Sequence, residues 1–150
     1  HHGNGTQDAF YDSDRVFFCS IHQWPLYPGT GAAPERGQGA GTGYTLNIPL
    51  RPGLGDDDYR RVVEESVLPT AREFAPDLVL VSAGFDAHEA DPLANMRVTE
   101  AGFRDLAKAA MSIAAESAEG RLVAILEGGY DPAALGRSVA TVLAQFDAEA

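Results

Sequence analysis

At 150 residues, 45% of them apolar, the chain is long enough to bury a substantial core, which excludes a disordered or low-complexity class. A formal net charge of -11, with scattered arginines and the single lysine Lys108, excludes a phosphate-tracking surface, so no direct nucleic-acid contact is expected. No apolar run approaches the ~20 residues that span a bilayer, and the lone Cys19 excludes an internal disulfide; a cytoplasmic protein without membrane association is expected.

The chain opens on HHGNGTQDAFY (1–11), too short a histidine run for a tag and cut off at its own motif, so it reads as the start of a truncated chain. RVFFCSIH (15–22), rich in β-branched and aromatic residues, predicts a buried strand, with Cys19 an inert thiol inside it and His22 a hydrogen-bonded structural histidine at its end. The proline- and glycine-rich stretch 23–43 is too long for an idle connection and predicts a functional surface loop. YTLNIPL (44–50) reads as a short strand ended by Pro49 and the Pro52-Gly53 turn. From Asp56 to Phe74, three leading aspartates and the spacing of Tyr59, Val62, Val63 and Val67 predict a helix that Pro69 kinks or interrupts.

LVLVSAG (78–84) and RLVAILEGG (121–129) are continuous apolar runs, the pattern of strands covered on both faces. Between them, Thr99 to about Glu116 is helical, with Phe103, Leu106, Ala107, Ala110, Met111 and Ala114 on one face. A last helix takes Asp131 as cap and Pro132 as first residue and runs through Leu135, Val139 and Val142. This alternation of strands and helices specifies an α/β fold with a mainly parallel sheet.

Ligands of open α/β sheets bind beyond the carboxyl ends of the strands, and this chain delivers polar residues there: Asp86, His88 and Asp91 after one run, Tyr130 after another, His22 and then Tyr27 after the first. Each has a plain and a functional reading. Asp86 serves loop amides or chemistry equally well; Glu127 at a strand end is expected to pair with an arginine; Tyr130 either closes a turn or presents a phenol as an electrophile, with Gly128 and Gly129 letting the backbone pass close to a ligand.

HHGNGTQ, LYPGTG, GYTLNIPL, SAGFDAHEADPLA and LEGGY, in that order along nearly the whole chain, resemble the zinc-dependent histone deacetylase and acetylpolyamine amidohydrolase superfamily, and within it the bacterial relatives of class II deacetylases. The resemblance implies a three-layer α/β/α sandwich of the arginase/deacetylase kind, with residues 1–150 forming the C-terminal part of a single deacetylase domain whose N-terminal part is missing. It implies zinc ligation by His1 and Asp86, the first aspartate of an Asp-x-His-His-Gly motif falling two residues before His1, and leaves His2 as a structural neighbour. Tyr130 matches the catalytic tyrosine, Tyr27 an aromatic wall of the channel, Leu93 its rim, and Gly129 lies against the substrate. Potassium sites are implied as well, one on Phe10, Ser13, Val16 and Tyr44, the other on Ser20 and Ile21 with the motif at His1. DAHEAD has one residue too many for the Asp-Ala-His-x-Asp metal motif of the related manganese enzymes, so His88 is placed on the pocket rim. The expected activity is hydrolytic removal of acetyl from acetyl-lysine in a peptide or similar acylated amines. The alternatives are an acetylated polyamine as substrate, or an inactive fragment that acts as a binding module because the first aspartate and the family's His-His base pair are not in this chain.

Overall fold

In the computed structural model, which describes residues 1–148, the apolar runs fold as parallel strand pairs, each inside one of two compact units, His1–Pro52 and Gly53–Ala150.

In the first unit, helix α1 (Asn4–Phe10) precedes strand β1 (Phe18–Gln23), which pairs in parallel with β2 (Thr45–Leu50), Phe18 opposite Thr45 and His22 opposite Pro49. Both strands were expected, although β1 starts three residues later than the apolar run. Pro49 lies inside β2 and does not end it, because a proline is tolerated where its missing N–H faces away from the ladder. Helix α1 had no counterpart in the sequence reading: its glycines and asparagine favour a loop, and its N-cap Gly3 has no side-chain cap. The 24–44 connection is a loop with one 3-10 turn at Gly39–Gly41.

In the second unit, helix α2 (Asp56–Val62) passes through a π-helical turn (Val63–Val67) into α3 (Leu68–Phe74). Proline cannot donate the next intrahelical bond, and the wider turn immediately before Pro69 is how the helix accommodates it. Tyr59 and Val63 are buried from this segment. Strand β3 (Val79–Ala83) pairs in parallel with β4 (Leu122–Leu126), and helix α4 (Glu100–Ser117) lies between them in sequence. Thr99 caps α4 by accepting from the Ala101 amide, as Asp131 caps α5 (Pro132–Ala148) by accepting from Ala134. Phe103, Ala107 and Ala114 of α4 are buried with Phe85, Met96 and Val98, and α5 packs on α4. One expectation fails here. Leu80 is 65% exposed and Ile125 56%, so the β3–β4 pair is not covered on both faces: nothing among the described residues lies over that side.

Candidate active site

The first unit holds His2 and His22 among buried polar contacts. The Glu35 carboxylate accepts from Gln7 Nε2 at 2.7 Å and from the Gly31 and Ala32 amides. That contact orients the Gln7 amide, whose Oε1 then accepts from Asn47 Nδ2 and faces His2 Nε2 at 3.0 Å; the His2 Nε2 atom therefore carries the proton, while Nδ1 meets the Thr30 hydroxyl. Burial pushes the Glu35 carboxyl up, but the bonds from Gln7, Ala32 and Gly31 outweigh it and hold it below the ordinary carboxylate range. His22, 2% exposed, donates through Nε2 to the Gly31 carbonyl at 2.9 Å and takes the Ser20 hydroxyl at Nδ1. Burial lowers its pKa to about 4, which is the structural histidine expected from its position at a strand end.

This network fixes the loop that carries Tyr27. Tyr27 is 80% exposed and stands edge-on to the His1 ring at 6.3 Å, so the expected ligand and the expected channel wall are neighbours. His2 is buried against Phe18 and His22, the supporting place expected for it. Burial raises the Cys19 thiol to about 12, consistent with an inert group. Of the residues implied for potassium, Phe10 and Tyr44 have carbonyls that accept from Ser13 and Phe18 amides, the Ser13 hydroxyl accepts from the Arg15 amide, the Ser20 hydroxyl is engaged with His22, and Val16 and Ile21 are half-buried.

In the second unit the loops after β3 and β4 are laced together: Phe85 donates to the Gly128 carbonyl and Glu127 to the Ala83 carbonyl. The lacing brings Asp86 and Tyr130 to one point. A Cβ on Gly128 would stand 3.3 Å from both Asp86 Oδ2 and the Tyr130 hydroxyl, so the two oxygens are at most twice that distance apart. Asp86 is buried while Tyr130 is 51% exposed: an acceptor seated in the protein beside a phenol presented to solvent. Gly129, with φ +140° and a would-be Cβ 2.9 Å from Leu135 Cδ1, is a position only glycine fills without strain. Leu93 is exposed on the loop after β3, as a rim residue would be.

Two other expectations are corrected. His88 is not at a rim: it is 3% exposed, its ring stacked on Phe103, Nδ1 accepting from the Ala90 amide and Nε2 lying 3.5 Å from Glu100. The apolar bed supplied by α4 draws it inward. Glu127 is exposed and forms no ion pair with an arginine among the described residues, because at a solvent-facing strand end its charge needs none. Sequence reasoning missed Gln7, Glu35 and Asn47, whose partners are distant in sequence, and Tyr59, whose phenol is raised by burial and by the nearby Asp86 charge. Only the helical spacing of Tyr59 was visible beforehand.

Residues 1–146 match the histone deacetylase domain family. The chain is 50% identical over 130 residues to a probable deacetylase of Archaeoglobus fulgidus, covering 87% of this chain and 36% of that protein. The chain belongs to the histone deacetylase family. A second family member, histone deacetylase 14, chloroplastic, of Arabidopsis thaliana is 51% identical over 140 residues, 93% of this chain and 33% of its own length, so this chain spans about a third of these relatives. The crystal structure of the HDA15 HD domain superposes with a TM-score of 0.90 at 41% identity, covering 95% of this chain and 40% of that one. The deacetylase-like α/β fold expected from the sequence is thereby the fold of this family member. Among the described residues no helix is long and apolar enough to cross a membrane.

Proposed function

We propose that the protein carrying this chain is a zinc-dependent deacetylase that hydrolyses the amide of acetyl-lysine in peptides, and that residues 1–150 are the C-terminal part of its one catalytic domain. The observation that carries this reading is the meeting of a buried carboxylate, Asp86, with an exposed phenol, Tyr130, at the carboxyl ends of two parallel strands. A positioned phenol is a hydrogen-bond donor for the oxyanion that forms when water adds to an amide carbonyl, an interaction worth about 3 kcal/mol in a preorganised site. Tyr27 would wall the approach of the acylated amine and Leu93 and Gly129 would line it, while Tyr130 would donate a hydrogen bond to the oxyanion.

His1 and Asp86 are the proposed metal ligands, an imidazole and a carboxylate of the kinds that zinc takes. They do not make up its usual three protein ligands, and no group of three or more His, Cys, Asp or Glu among the described residues could hold a metal ion. The dependence on zinc, the potassium sites and the cytoplasmic location therefore rest on the resemblance and on composition. Turnover of acetyl-lysine peptides and of acetylated polyamines by the full-length polypeptide tests the reading. Peptide turnover should exceed polyamine turnover and vanish, together with bound zinc, in Asp86→Ala; a variant that keeps both its zinc and its activity would overturn the assignment.

A further inference from the structure

Asp91 is buried at 8% exposure, and its two carboxylate oxygens do different work. Oδ1 accepts from the amides of Leu93, at 2.9 Å, and Ala94, at 3.2 Å, closing the turn that presents Leu93. Oδ2 reaches 39 residues along the chain and accepts from the backbone N–H of Tyr130 at 2.8 Å. A single side chain thus ties the loop after β3 to the residue that carries the phenol after β4.

The segments on either side of Tyr130 are anchored as well. Before it, the Phe85–Gly128 bond fixes the strand end, and Gly129 follows in a backbone conformation open to glycine. After it, Asp131 opens α5 by accepting from Ala134. Tyr130 stands between these anchors, and its own backbone amide is held by Asp91. Three N–H donors converge on one carboxylate, which accepts on both oxygens; a carboxamide in its place would turn one end into a donor and face the Tyr130 amide with N–H against N–H.

We propose that Asp91 is a positioning residue for the Tyr130 phenol, setting its height over the site through the backbone. The inference rests on the deacetylase reading of Tyr130 given above. It predicts that, in the full-length polypeptide, Asp91→Asn lowers kcat by about tenfold or more, the scale expected when a charge-assisted bond is lost and a reacting group moves by a fraction of an ångström, with KM for acetyl-lysine peptide little changed. In a Tyr130→Phe background the same substitution should cost almost nothing further, because Asp91 acts through the phenol.

Equal losses from Asp91→Asn in both backgrounds would make Asp91 merely structural and overturn the proposal. So would a normal kcat in Asp91→Asn alongside a damaged Tyr130→Phe, and that outcome leaves the deacetylase reading standing. If Tyr130→Phe itself has full activity, the reading fails and the inference falls with it. Hydrogen exchange in the unsubstituted protein gives a readout that needs no variant to fold: the Tyr130 amide should be protected despite its exposed ring, and an amide exchanging at the free-peptide rate would refute the clasp.

Discussion

The two units brace their candidate site residues differently. In the first, His2, Gln7, Glu35 and Asn47 are linked side chain to side chain in the interior, Glu35 also takes the Gly31 and Ala32 amides, and the exposed Tyr27 rides on the loop they brace. In the second, carboxylates seize backbone amides, Asp91 at Tyr130 and Asp131 at Ala134, and the phenol is positioned through the main chain. A side-chain network resists change at every member, because each lost partner orphans another buried group. A backbone clasp concentrates its effect on the one residue it holds.

The sharpest way to break the first arrangement is at Gly31. A methyl there would sit 2.5 Å from His22 Nε2 and 2.6 Å from the His2 ring, at φ +91°, so Gly31→Ala should destabilise by about 4 kcal/mol in urea unfolding. A shift under about 1 kcal/mol would mean that the network yields easily. Acid attacks the same region. His22 has its folded pKa lowered from 6.5 to about 4, so the unfolded chain binds the extra proton between those values. Its contribution, on the order of 3 kcal/mol, is complete above pH 6.5 and is lost as pH falls toward 4. The difference in unfolding free energy between the unsubstituted protein and His22→Gln should shrink over that window; a pH-independent difference would contradict a buried neutral imidazole.

In the second unit the effects should be smaller in stability and larger in turnover. Gly129→Ala, with its methyl 2.9 Å from Leu135 and 3.2 Å from Phe85, is expected to cost about 2 kcal/mol and to lower deacetylation more than its stability loss explains, as measured by kcat on the folded fraction. Asp131→Ala removes one helix cap and should cost about 1 kcal/mol of thermal stability. A loss as large as that at Gly31 would erase the contrast between the units.

What the sequence made legible follows from the same contrast. Strand and helix identity were carried by local patterns: the runs at 78–84 and 121–129, the Thr99 and Asp131 caps, the helical spacing at Phe103 and Ala107. Asp86, Asp91 and Tyr130 are legible as a group because parallel strands deliver their carboxyl ends to one side, whereas Leu93 is singled out only by the family resemblance. The Gln7–Glu35–Asn47 cluster was not, since its members lie 28 and 40 residues apart and no periodicity links them. Helix α1 escaped for a related reason: its buried anchor, Gln7, is held by tertiary bonds that override a glycine-rich sequence. The spacing of DAHEAD rules His88 out of the metal motif and leaves it an expected rim residue, whereas its ring packs on the helix that follows. The open side of β3 and β4 shows the limit of pattern reading, because an apolar run states what a strand is suited to touch and not what lies over it.

The proposed role of Tyr130 as oxyanion donor is tested most directly by steady-state deacetylation of an acetyl-lysine peptide by the full-length polypeptide. Tyr130→Phe removes one hydroxyl and should lower kcat by about a hundredfold or more, leaving KM and bound zinc near those of the unsubstituted protein. A kcat within about twofold of the unsubstituted value would contradict it.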